Sequence, residues 1–176
     1  MSTFLYFAYG SNLLQERIHV NNPSATFTTI GKLEDYKLCF RGSDDEGTWH
    51  GPGADIQPLA GSQVWGVIWQ LDMHHQATLD SQEGVEYKVY KPIDVPVKTV
   101  DGEELICRTY QQCRDTLKGK PSPHYLDVLV KGALQHGLPS NYIDWMKRIE
   151  TNGYSGKVQL YDDIMKKYNE NNSCSK

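Results

Sequence analysis

Two features of this chain carry most of its legible chemistry. Glu83 stands just before Gly84, where a helical run over Met73–Gln82 ends. The carboxyl end of a helix is a poor site for an anion, and the strongly apolar run Val64–Leu71 just upstream predicts partial burial; both raise a carboxyl pKa. A carboxyl raised toward neutrality can take a proton and return it, as a general base must. Taken alone, Glu83 also fits a solvated glutamate at a helix end. The second feature is the break in the first apolar run. Phe4-Leu5-Tyr6-Phe7-Ala8-Tyr9 gives way to Gly10-Ser11-Asn12 and then to Leu13–Ile18. Strand, tight turn and helix start leave main-chain amides aimed at one spot, which suits a carboxylate or phosphate. The same residues fit an ordinary strand-to-helix connection with Ser11 or Asn12 as cap.

Other chemistries lack their patterns. The six histidines form no His-x-x-x-His pair and no His/Cys cluster of the kind that holds zinc, and His74 and His75 would point about 100° apart on a helix. They read as solvent-exposed, with no metal. There is no Gly-x-Ser-x-Gly elbow, and Ser11 resembles one in outline only. The glycine-rich stretch Arg41–Gly53 lacks the Gly-Lys-Ser/Thr ending of a nucleotide loop and reads as a mobile surface loop.

The run Phe7-Ala8-Tyr9-Gly10-Ser11-Asn12-Leu13 resembles the opening motif of the gamma-glutamylcyclotransferases, enzymes that release 5-oxoproline from γ-glutamyl amino acids. The resemblance continues in order through Asn22-Pro23-Ser24-Ala25, Val64-Trp65-Gly66-Val67, Gln82-Glu83-Gly84-Val85, Cys107-Arg108-Thr109-Tyr110, Pro121-Ser122-Pro123-His124-Tyr125, Gly137-Leu138-Pro139 and Tyr154–Val158. It implies that Glu83 is the catalytic base and then acid. It places substrate contacts along Tyr6, Phe7, Ala8, Tyr9, Gly10 and Ser11 and at Tyr125, with Tyr90 and Tyr110 near the same pocket. On their own, Tyr90 and Tyr110 also read as half-buried strand residues, and Tyr125 as the opening of a helix. The implied reaction uses the substrate's own α-amine as nucleophile and its own γ-carbonyl as electrophile, so no cofactor is implied. Related branches act on γ-glutamylamines such as ε-(γ-glutamyl)-lysine, or on glutathione; the opening motif of the latter usually lacks the asparagine found here at position 12. A non-catalytic small-molecule binder on the same scaffold is the reading from another class.

The elements that must position these groups read as follows. Strands are predicted over 4–9, 33–40, 64–71, 90–100 and 103–111, the last two joined across the hairpin signal Asp101-Gly102. Gly66 suggests a bulge or a close approach, and Pro92 and Pro96 push the fourth strand toward an edge or a bulge. Helices are predicted over 13–18, over 73–82 with Asp72 as cap, from Leu126 to Gly137, from a Ser140 cap with Tyr142, Trp145, Met146 and Ile149 on one face, and over 161–168. Strands early and helices late argue for an α+β fold; the resemblance adds a small, mixed, barrel-like sheet packed with helices.

At 176 residues the chain fits one domain, here over 1–168 with a disordered polar tail at 169–176. With 18 Lys and Arg against 22 Asp and Glu, nothing favours nucleic acid or an anionic membrane as partner. No run is long enough to span a bilayer and no signal peptide is apparent. The four cysteines show no Cys-x-x-Cys pair, so free thiols and the cytosol are expected. The expected partner is a small γ-glutamyl substrate; the resemblance also implies a homodimer.

Overall fold

A computed structural model describes residues 1–42, 47–113, 115, 117 and 118–174. Five strands form a closed barrel in the order β1-β3-β2-β4-β5. They are β1 (Thr3–Ala8), β2 (Thr26–Arg41), β3 (Gly53–Asp72), β4 (Tyr90–Thr99) and β5 (Glu104–Gln112). Neighbours pair antiparallel except at the closing seam, where β1 meets β5 in parallel at Tyr6↔Arg108. Helices α1 (Gln15–Ile18), α2 (Gln76–Gln82), α3 (Pro123–Gln135), α4 (Ser140–Lys147) and α5 (Gln159–Ser173) surround it. This is the α+β barrel with helices that the sequence predicts, in a single domain.

β1 is short because its inner half is the core. Phe7 and Ala8 are fully buried beside Ile68, Trp69 and Leu71 of β3. Gly66 marks a close approach: a side chain there would collide with the Ala8 carbonyl and the Phe7 ring. The β2–β3 register runs straight through Gly66, so it is not a bulge. The irregularities lie elsewhere, between Phe27 and Thr29 and between Glu34↔Gln63 and Tyr36↔Pro58, where Asp35, at φ 62°, stands opposite residues 59–62 of β3. Both β2 and β3 are far longer than predicted. Their extra residues are polar or mixed, and they become strand because each supplies the other's ladder. β4 pairs with β2 only at Gly31↔Thr99 and Lys32↔Lys98, so Pro92 and Pro96 remove no hydrogen bond that a continuous neighbour would need.

Several local expectations change. Neither Ser11 nor Asn12 caps a helix through its side chain: Gly10 precedes a 3-10 turn over Ser11–Leu13, and α1 follows it. Asp72 likewise makes no cap; a 3-10 turn over Met73–His75 intervenes before α2, and Ser24 receives the Asp72 amide and meets the His75 ring. His75 is therefore half-buried rather than free in solvent. Pro139 precedes α4, whose buried face is Ile143 and Met146, with Trp145 exposed. Ser122 does cap α3, accepting the Tyr125 amide at 3.2 Å. Helix α5 runs to Ser173, so residues 169–173 of the predicted tail continue the helix, and Asn171 donates to Glu16. Residues 175–176 lie outside the described residues.

Helix α3 fixes the turn that follows β1. At Gly132 it presses against the main chain of Leu13 and Leu14, so closely that a Cβ would sit 2.6 Å from Leu13. On the other side Trp69 Nε1 donates to the Asn12 carbonyl at 2.9 Å. The turn is gripped between barrel and helix.

Candidate active site

Glu83 ends α2, its amide donating to the Leu79 carbonyl, and Gly84, at φ 65°, turns the chain away. The carboxyl is half-buried and lines a cavity of about 600 Å³. The turn after β1 lines the same cavity, with Tyr9, Gly10, Ser11 and Asn12, and Tyr6, Tyr90, Tyr110 and Tyr125 add to the polar lining. Of the residues expected here, Tyr6, Tyr9, Gly10, Ser11, Tyr90, Tyr110, Tyr125 and Glu83 meet at this one cavity. Phe7 and Ala8 do not line it: their positions in the barrel turn them into the core, where both are fully buried.

A chain of side-chain amides ties Glu83 to the turn. Asn22 Nδ2 donates to Gln82 Oε1 at 3.1 Å, Gln82 Nε2 to Asn12 Oδ1 at 3.2 Å, and Asn12 Nδ2 to the Tyr6 hydroxyl at 3.2 Å. Asn12 and Asn22 are almost fully buried, so these bonds matter where no water can substitute; among the described residues, Asn22 Oδ1 alone of the two side chains' polar atoms is left without a partner. Gln82 neighbours Glu83, and the network sets the distance between base and turn.

The five tyrosines differ in where their hydroxyl hydrogens go. Tyr9 donates to the Tyr110 carbonyl, Tyr90 to the Ala54 carbonyl at 2.7 Å, and Tyr110 to Asp80. Tyr6 only accepts, from Asn12; Tyr125 only accepts, from the Ala54 amide at 3.0 Å, with the Ser11 amide facing the same oxygen. A phenol that accepts from the protein and donates to nothing in it keeps its hydrogen for a ligand. Among the described residues, Tyr6 and Tyr125 are therefore the two phenols that can donate into the cavity. Burial holds both hydroxyls protonated, Tyr6 well above its ordinary value and Tyr125 at about 12.

Burial also governs Glu83, lifting its pKa from 4.5 to about 7; Arg17 opposes the rise and Asp80 adds to it. Asp80 is itself held by Arg108 in a two-pronged pair, with Arg108 Nη2 2.8 Å from each carboxylate oxygen. Among the described residues no group of His, Cys, Asp and Glu could hold a metal ion.

The sequence reading misses several cavity residues. Arg17 is only 7% exposed yet reaches the cavity, its guanidinium over the Trp49 ring at 6.0 Å. Trp49 packs edge-on against Tyr125, centroids 5.2 Å apart. The stretch read as a mobile surface loop thus contributes a cavity wall through Gly47, Thr48, Trp49, Gly51 and Pro52; its residues 43–46 lie outside the described residues. An arginine one helical turn beyond the Gly10-Ser11-Asn12 break was the available signal for Arg17, though nothing local marks it as buried.

With this geometry in hand, likeness to known proteins is informative. Residues 63–146 match the AIG2-like family. Over 169 residues the chain is 47% identical to a bovine (Bos taurus) gamma-glutamylcyclotransferase, covering 94% of this chain and 89% of that protein. The Homo sapiens gamma-glutamylcyclotransferase is 45% identical over 168 residues with the same coverage. The chain belongs to the gamma-glutamylcyclotransferase family. A solved gamma-glutamyl cyclotransferase superimposes with a TM-score of 0.90 at 44% identity, covering 94% of this chain and 99% of that one. Membership of this enzyme family therefore extends over barrel, turn and α2 alike, and the cavity described above lies within the matched fold.

Proposed function

We propose that this cavity cyclises γ-glutamyl amino acids or dipeptides, releasing 5-oxoproline and a free amino acid or shortened peptide. The observation that carries the proposal is the meeting, in one cavity, of a carboxyl at about 7 with two phenols whose hydrogens are uncommitted. The substrate's α-amine has a pKa of about 8 and arrives mostly as an ammonium, which cannot attack. The Glu83 carboxylate takes its proton, and the two pKa values are close enough for transfer in either direction. The amine nitrogen then bonds to the γ-carbonyl carbon, closing a five-membered ring, and the carbonyl electron pair moves onto oxygen. Tyr6 and Tyr125 donate hydrogen bonds to that oxyanion. As the carbonyl re-forms, the original C–N bond breaks and Glu83 gives its proton to the departing nitrogen. The carboxylate so regenerated takes the second proton from the ring nitrogen, which the released amine carries away as its ammonium. Attack is intramolecular, so holding the substrate folded supplies much of the acceleration.

The overall change is a lyase-type cleavage, and we place it in glutathione metabolism, in the cytosol. Four cysteines without a disulfide support a reducing compartment, and no helix among the described residues is long and apolar enough to cross a membrane. The homodimer implied by resemblance is checked by light scattering on the purified chain.

Purified protein incubated with γ-glutamyl-alanine, ε-(γ-glutamyl)-lysine and glutathione, with 5-oxoproline measured, tests the reaction. Release from γ-glutamyl-alanine, abolished in a folded Glu83→Gln variant, is the expected result. Turnover confined to the lysine isopeptide would move the assignment to γ-glutamylamines, and no turnover of any of the three would leave a binding protein.

A further inference from the structure

Arg17 is a buried cation without a counterion. It is 7% exposed, its Nε has no hydrogen-bond partner, and its guanidinium pairs with no carboxylate among the described residues. The other cavity arginine, Arg41, pairs with Asp115 at 2.6 Å. Glu83 is close enough to act on Arg17 through space but is not in contact with it. Leaving a charge buried and unpaired carries a large desolvation penalty, which a fold tolerates where a ligand completes the pair. The Trp49 ring beside the guanidinium supplies one soft contact and no hydrogen-bond acceptor stronger than its π face.

We propose that Arg17 binds a carboxylate of the γ-glutamyl substrate and so orients the reacting amine toward Glu83. The inference rests on the reaction proposed above. The spacing suits it. A carboxylate against Arg17, with an amine a few bonds away against Glu83, requires two side chains that share a cavity without touching. A guanidinium is also the side chain best shaped to grip a carboxylate at two points. A γ-glutamyl amino acid carries two carboxylates, one on the glutamyl α-carbon and one on the acceptor, and the same chemistry would recognise either.

Two truncated substrates separate the sources. γ-Glutamyl-ethylamide lacks the acceptor carboxylate, and 4-aminobutanoyl-alanine lacks the glutamyl one while still able to cyclise, to 2-pyrrolidinone. In the unmodified protein, the substrate missing the carboxylate that Arg17 holds shows a KM raised tenfold or more relative to γ-glutamyl-alanine, corresponding to one charge-assisted pair. Arg17→Gln then raises KM for γ-glutamyl-alanine by at least tenfold, and Arg17→Lys, which keeps the charge but not the two-point grip, falls between Arg17→Gln and the unmodified protein. If Arg17→Gln also weakens γ-glutamyl-ethylamide, the glutamyl carboxylate is the ligand; if it spares that substrate, the acceptor carboxylate is. Titration calorimetry of γ-glutamyl-alanine into Glu83→Gln and into the double variant Arg17→Gln/Glu83→Gln reads binding without turnover. An inactive wild-type protein would thus sink the proposed reaction, while equal heats from the two variants would sink the role of Arg17. KM values within twofold for all three substrates on the unmodified protein would overturn it as well, even if Arg17→Gln failed to fold.

Discussion

The cavity is lined by two kinds of residue, interleaved in space. Tyr9, Tyr90 and Tyr110 give their hydroxyl hydrogens to the Tyr110 carbonyl, the Ala54 carbonyl and Asp80. Tyr6, Tyr125, Arg17 and Glu83 each hold a donor or proton that the protein does not use. Tyr6 packs edge-on against Tyr110 and the Tyr90 and Tyr125 hydroxyls both bond Ala54, so neither composition nor position tells the two sets apart. The difference is one of hydrogen-bond completion. Where every polar atom has its partner the residues act as scaffold, and where one partner is missing the residues await a ligand.

The comparison can be broken at its strongest point first. Glu83→Gln preserves shape and removes the proton carrier, so kcat falls by roughly 10²–10⁴-fold, measured as 5-oxoproline release by a variant with an unchanged circular dichroism spectrum. Next, Tyr6→Phe and Tyr125→Phe each lower kcat by roughly 10²-fold, as loss of one oxyanion donor does. Tyr90→Phe behaves differently: it leaves the buried Ala54 carbonyl without its phenol, and the damage appears mainly as about 1–3 kcal/mol of lost stability, read by denaturant titration. Equal kcat losses for Tyr90→Phe and Tyr6→Phe would erase the distinction between the two sets.

A stability measurement sharpens the comparison further. Glu83 has its pKa raised in the folded state, from 4.5 to about 7. Below 4.5 folded and unfolded chains both hold the proton, and the group favours neither. As pH rises through this interval the unfolded chain loses the proton while the folded one keeps it, so stability falls and the deficit stays above 7. Glu83→Gln escapes this, and should melt like the wild type near pH 4 but be more stable at pH 8, by on the order of 1–3 kcal/mol. A variant less stable at both pH values would show that the carboxylate is not strained by burial. The smallest effect concerns Asp80. Its carboxylate adds to the rise at Glu83, so Asp80→Asn moves the acid limb of kcat/KM, expected near 7 in the wild type, to lower pH.

How much of this was legible depended on how local the cause was. Gly84 and the apolar run before α2 sufficed to place Glu83 at a helix end, because both signals lie within a few residues of it. The hairpin at Asp101-Gly102 was legible for the same reason, and Gly102 indeed takes a positive φ of 84°. Asn12 was misread as a cap because capping is the local use of an asparagine, whereas its bonds to Tyr6 and Gln82 are tertiary, the latter spanning 70 residues. Nothing within the short helix that carries Arg17 signals its burial; the ring its guanidinium lies over, Trp49, is more than thirty residues away. The length of β2 and β3 escaped because threonine, glutamine and glycine become strand only when a partner ladder is present.

The parallel contact at Tyr6↔Arg108 has a consequence for how this molecule fails. It is the narrowest join in the ring of strands, and it is made by two residues that both serve the cavity: Tyr6 as an uncommitted donor, Arg108 as the clamp on Asp80. Unzipping there would scatter the constellation while the long β2–β3 ribbon stayed intact. On gentle heating, turnover should vanish before the bulk of the amide protons begin to exchange.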